Sequence, residues 1–176
     1  MPNCFLSQLS RTRQSGAALI SGLIFLVVLT MIGITSARMS TLEERMSGNM
    51  RDRSIAMQAA ELALRDAERD ILTSGRISGI SNFHANCPNG LCYPGNAGYA
   101  NPIWTTVSMT VAPSVQYSAY TAAQDIPGVS AQPRYLIEGI PKPQNGGSMT
   151  TFYRITVRAQ GINPNTVVWL QEVFRP

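Results

Sequence analysis

The chain has 176 residues, 44% of them apolar and 14% charged, with a formal net charge of +4. That length holds one domain of modest size. Two of the surplus charges, Arg11 and Arg13, stand near the start, and without them the balance is +2; so small an excess is no footprint for nucleic acid.

Residues 1–16 are polar and have no apolar run of their own. Residues 17–37 follow, reading AALISGLIFLVVLTMIGITSA, twenty-one residues with no charge and no proline. As a helix this segment is about 31 Å long, the thickness of a bilayer's hydrocarbon core. A secretory signal is cut after its apolar run. Here the basic residues stop at Arg13 and the apolar run starts directly behind Gly16. A cut between Gly16 and Ala17 therefore keeps the segment on the mature chain as an anchor. The arginines ahead of it predict a cytoplasmic leader and an outward-facing C-terminal part.

No proline lies between Pro2 and Pro88, and helical character continues to Leu72. Residues 17–72 would make a helix about 84 Å long if straight. Met50, Met57, Leu64 and Ile71 recur every seven residues, with Ala60 and Ala67 between them. They predict an apolar stripe that packs on the chain's own domain or, laterally, on other subunits. Arg65, Asp66, Glu68, Arg69 and Asp70 crowd the remaining positions. Glu43, Glu44, Asp52 and Glu61 read as a solvated or inter-subunit face. Gly22, Gly33 and Gly48 are potential soft points, and Gly75 suits the helix end.

Beyond residue 73 glycine, proline, asparagine and serine become frequent. Residues 77–101 read as a turn-rich loop. If this part is exported, Cys87 and Cys92 in CPNGLC form an even pair for a disulfide worth about 2 kcal/mol, with a buried thiol pair as the alternative. Cys4 falls in the leader. Residues 103–111 alternate with a period of two and predict a strand. Residues 115–120, 134–140, 152–160 and 166–174 are further candidates. Pro113, Pro127, Pro133, Pro141, Pro143 and Pro164 fall at the expected breaks. Tyr153, Ile155, Val157 and Ala159 face one way and Arg154, Thr156, Arg158 and Gln160 the other, which suits an antiparallel sheet lying on the helix with its outer side wet.

Catalytic groups are scarce. His84, the one histidine, has no metal-ligand cluster around it, and no nucleophile motif or phosphate-binding loop occurs. The expectation is a protein that is not an enzyme and takes no metal and no cofactor.

Gly16 followed by Ala17, Ala18, Leu19 and Ile20 resembles the class III leader of type IV pilin-like proteins. The resemblance implies a dedicated peptidase that cuts after Gly16 and methylates Ala17. It departs from the commonest pattern at Ala17, where most members have Phe, and at Ser21, where most have Glu. The runs TLEERMSGNMRDR and QAAELALRDAE resemble the N-terminal domain of PilX-type minor pilins over roughly residues 16–69. YRITVRAQG resembles the closing sheet of PilX- and PilV-type minor pilins.

This likeness implies an α+β, pilin-like fold with four parts: a leader at 1–16, a transmembrane and assembly helix at 17–37, an amphipathic helical stalk at 38–72, and a globular head at 73–176. The implied protein is a minor pilin, held in the inner membrane and then built into the pilus fibre. Its implied partners are other minor pilins, the major pilin, the prepilin peptidase and the inner-membrane assembly platform, with a tip adhesin a further candidate. Twitching motility and cell adhesion are the implied roles. The family's fifth-position Glu offsets the cost of a neighbour's N-terminal amine among apolar helices. Ser21 cannot do so, which points to a position at or near the tip, primed first. The alternatives are the tip pseudopilin of a type II secretion system and a static bitopic receptor.

Overall fold

The computed structural model describes residues 15–95, 102–144 and 147–176. Residues 1–14 of the expected leader, with Cys4, Arg11 and Arg13, and residues 96–101 of the expected long loop lie outside the described residues. The chain divides into two units, Met1–Ser47 and Gly48–Pro176. One helix, α1 (Ser15–Thr73), supplies residues to both.

In the first unit α1 is the described structure, and every described side chain from residue 16 to 47 is exposed. Leu19, Leu23, Phe25, Leu26 and Leu29 are each more than 60% exposed. The helix is long and apolar enough to cross a membrane.

In the second unit α1 lies on a mixed sheet. Its strands are β1 (Leu91–Cys92), β2 (Val115–Gln116), β3 (Arg134–Pro143), β4 (Met149–Gln160) and β5 (Val167–Phe174). The order is β1-β3-β4-β5, and β2 also pairs with β3. The β2–β3, β3–β4 and β4–β5 pairings are antiparallel. The exception to the antiparallel expectation is β1, which runs parallel to β3 at Ile137 and Glu138.

The helix meets the sheet through alanines. Ala56, Ala59, Ala60, Ala63, Ala67 and Ile71 are buried. Such small side chains leave room for large ones opposite. The facing sheet residues are large: Tyr135 and Ile137 on β3, Tyr153, Ile155 and Val157 on β4, and Val168 on β5. Phe83 rests on Gly139, where an added Cβ would stand 3.0 Å from its ring, and tilts against Tyr153 at 5.7 Å between centroids.

The outer face of the sheet corrects two expectations. It is not wet, since Arg154 and Thr156 are buried there. Nor are residues 103–111 a strand: Ile103–Thr105 is a 3-10 turn, and the following residues form bends and turns. Local bonds explain the difference. Thr105 and Thr106 hydroxyls donate to the carbonyls of Pro102 and Ile103, at 2.9 and 3.0 Å, and such bonds compete with a strand ladder. Ile103, Trp104 and Val107 all pack on Met109, Leu136 and the cysteine pair, so both sets of the alternation point into one layer. Pro141 and Pro143 lie within β3 rather than at its break, opposite Thr151 and Met149. Strand β1 reaches only Ile137 and Glu138, so a proline beyond them removes no bond from that side.

Candidate functional site

Two surfaces carry the chemistry, one in each unit. In the first, Gly16 and Ala17 stand exposed in the opening turn of α1. Ser21 Oγ donates to the Ala18 carbonyl at 3.1 Å. Thr30 and Thr35 bond back to Val27 and Met31 at 2.8 and 2.7 Å. These three hydroxyls are thus satisfied within the helix, which lessens the polarity of the surface it offers. No carboxylate occurs between residues 17 and 37.

In the second unit, three aspartates of α1 hold the head. Asp70 is fully buried. It accepts from Arg76 Nε at 2.8 Å and Tyr135 Oη at 2.9 Å, and pairs with the Arg76 guanidinium through Nη2. Burial, and then the Asp70 charge, push the Tyr135 phenol far above its ordinary range. Burial works against the charged form of Arg76, but the Asp70 bond and charge outweigh it and raise its pKa. Arg76 also donates to the Asn89 carbonyl at 2.8 Å and stacks on the Tyr120 ring at 3.9 Å. Asp66, buried as well, accepts from Ser118 N at 2.8 Å and from the Thr121 hydroxyl. Asp52 accepts from the backbone N–H groups of Ile162 and Asn163 at 2.6 and 3.3 Å. Its bond with Thr166 is the main cause of a lowered carboxyl pKa; desolvation opposes it, and the Asn163 and Ile162 bonds add to it. Gly161 makes this contact possible: a Cβ there would stand 2.3 Å from Asp52 Oδ1.

Asp52 corrects the expected solvated face, and Asp66 and Asp70, which the sevenfold stripe leaves among the remaining positions, are buried. Asp66 and Asp70 lie on the alanine stripe, since Ala59, Ala63, Asp66, Ala67 and Asp70 follow helical spacing. An acidic residue set among alanines, with poor helix propensity, is the signal that the sevenfold pattern obscured. Of the expected packing residues, Ala60, Ala67 and Ile71 are buried and Met57 and Leu64 are partly buried against the core. Met50 is 72% exposed, away from the chain's own core and open to the lateral packing that is the other expectation. A sevenfold repeat drifts around a straight helix by about 20° per repeat, and α1 contacts with the sheet end near Asp52.

On the outer face Glu138 and Arg154 form a buried ion pair across β3 and β4. Arg154 Nε donates to Oε2 at 2.7 Å and Nη2 to Oε1 at 2.8 Å, and Ile103 N adds a third donor to Oε1 at 2.9 Å. Beneath the same layer Cys87 and Cys92 are joined in a disulfide, their Cα atoms 4.2 Å apart. His84 is exposed, and among the described residues no group of three or more His, Cys, Asp and Glu is placed to hold a metal ion.

An apolar exposed helix segment, together with a helix clamped on a mostly antiparallel sheet, defines a pilin-like subunit. Residues 15–65 match the family described as PilX N-terminal, and residues 88–176 match type IV pilus assembly protein PilX C-term. The chain belongs to this PilX family of type IV pilus assembly proteins. No curated protein and no solved structure matches the chain.

Proposed function

We propose that the chain is a minor pilin that stands at or near the tip of the type IV pilus and primes its assembly, as a structural subunit without catalysis. The observation that carries this reading is Ser21. Its hydroxyl is spent on the Ala18 carbonyl, so the front of the apolar helix offers no charge to a neighbour's N-terminal amine. An ammonium among apolar helices is costly without an acidic partner. A subunit with no such partner to give fits best where no further subunit lies beyond it.

In this reading the prepilin peptidase cuts between Gly16 and Ala17, and Ala17 becomes the methylated N-terminus. Until assembly the chain sits in the inner membrane, with residues 73–176 in the periplasm. There the platform, the other minor pilins and the major pilin take it up, and a tip adhesin caps it. Twitching and adhesion follow from the pilus it starts. Mass spectrometry of the membrane-extracted protein tests the first step, with an Ala17 start expected and an intact Met1 overturning it. Ser21→Glu tests the second. The expected result is fewer surface pili, with the variant recovered along the shaft; unchanged piliation and unchanged tip occupancy would remove the argument from charge.

A further inference from the structure

Two arginines stand near Tyr120, and their charges are treated differently. Arg76, stacked on the Tyr120 ring, is neutralised by Asp70. Arg134 has no acidic partner among the described residues, and burial lowers its pKa with no opposing charge to raise it. The residue across from it on β4 is another arginine, Arg158, and like charges directly opposite cost stability. Arg134 Nε donates to Ser114 Oγ at 2.8 Å, and its Nη2 donates to the Ser114 carbonyl. Both bonds lie along one edge of the guanidinium, which leaves the Nη1–Nη2 edge over.

Arg134 lines a cavity of about 410 Å³ together with Ser114, Gln116, Tyr120 and Asn89, and among the described residues no carboxylate lines it. That is the size of a small-molecule site, and its walls are fixed. Strand β2 sets Gln116 opposite Arg134. The Cys87–Cys92 disulfide closes the loop that carries Asn89, and Arg76 holds that loop by the Asn89 carbonyl. Gly90 lets the loop rest on β2, since a Cβ there would stand 2.6 Å from Val115 Cγ2. The side-chain amides of Asn89 and Gln116 and the Tyr120 hydroxyl have no partner among the described residues.

We infer that this cavity binds a sugar bearing a single carboxylate, a uronic or sialic acid. The carboxylate takes the open guanidinium edge in a two-pronged, charge-assisted pair. The sugar ring packs on Tyr120, which is 40% exposed, and its hydroxyls meet the Asn89 and Gln116 amides. One planar anion matches one cation, whereas a phosphate carries up to about two charges and would leave the surplus unmatched. An acidic side chain of a protein would bring the same acid without hydroxyls for the two amides. This site stands apart from Ser21 and from the tip reading.

The test titrates the full chain, in detergent micelles, with the methyl glycosides of glucuronic, galacturonic and N-acetylneuraminic acids. Methyl glucoside is the uncharged control, and inorganic phosphate and N-acetylglutamic acid α-amide are the competing anions. Saturation-transfer NMR is expected to show at least one acidic sugar binding about tenfold more tightly than the glucoside and either competing anion. Arg134→Gln should abolish that preference, and Arg134→Lys, which keeps the charge without the fork, should retain only part of it. Gln116 is exposed, so Gln116→Ala spares the fold and should weaken binding about threefold. Unchanged tryptophan fluorescence shows that each variant is folded. The inference is overturned if none of the three acidic sugars outbinds the glucoside, or if phosphate or the glutamic acid amide binds as tightly as they do. It is overturned equally if folded Arg134→Gln or Gln116→Ala binds them as the parent does.

Discussion

The two stretches of α1 treat polarity in opposite ways. Between residues 16 and 47 the hydroxyls of Ser21, Thr30, Thr35 and Thr41 are kept within the helix, bonded to carbonyls three or four residues back. Between residues 48 and 73 three aspartates reach beyond the helix: Asp52 to residues 162–166, Asp66 to residues 118–121, and Asp70 to Arg76 and Tyr135. A helix bound for apolar surroundings must satisfy every polar group internally. A helix that carries a folded head can use the same groups as fasteners. The difference teaches that function is divided along one element by the reach of its side chains, not by a break in its backbone.

The comparison is broken most strongly at Asp70. Asp70→Ala strands Arg76 and the Tyr135 hydroxyl without their acceptor, and loss of about 3–5 kcal/mol is expected. Urea unfolding of the full chain in micelles, followed by tryptophan fluorescence, measures it; Asp70→Asn should lose less by keeping an acceptor for Tyr135. Next comes Gly161→Ala, which forces a methyl onto Asp52 and should cost about 1–3 kcal/mol in the same assay.

A smaller effect has a sign that changes with pH. Burial first, and the Glu68 charge second, raise the Glu172 pKa, so Glu172 weakens the folded state once pH climbs above its unfolded pKa. Glu172→Gln should therefore stabilise the protein at neutral pH, and the gain should fade below about pH 4. Asp52 is the opposite case. Its lowered pKa contributes stability above the ordinary carboxylate range, which is lost as pH falls through the lowered value. Asp52→Asn should thus melt earlier than the parent at neutral pH and converge with it in acid. Smallest of all, Met50→Ala should shift stability by less than about 0.5 kcal/mol, because its side chain touches no core; a larger loss would show a contact that the exposed position lacks.

Much of the architecture was legible because it rests on long periodic runs. The apolar segment, the helix continuing to its end near residue 73, and the strands at 134, 152 and 166 all declare themselves by spacing. The cysteine pair followed from parity and export. The strand expected at 103–111 failed because threonine hydroxyls and a buried glutamate captured its backbone. Asp66 and Asp70 were misread for a related reason. Charge on a helix usually marks a wet face, and only the loop and strand that fold back onto these residues, 52 and 65 positions away, turn them inward. Long-range partners of that kind leave no trace in local pattern.

The Glu138–Arg154 pair has a consequence for how the hairpin chooses its alignment. A slip of β3 against β4 by two residues keeps every inward residue inward, so the apolar rows alone would tolerate it. The same slip would set Arg154 against Leu136 or Ile140 and part it from Glu138 beneath the outer layer. A lock-and-key pair of charges thus selects one alignment among those that greasiness would permit, and the loop at residues 103–109 closes over the lock.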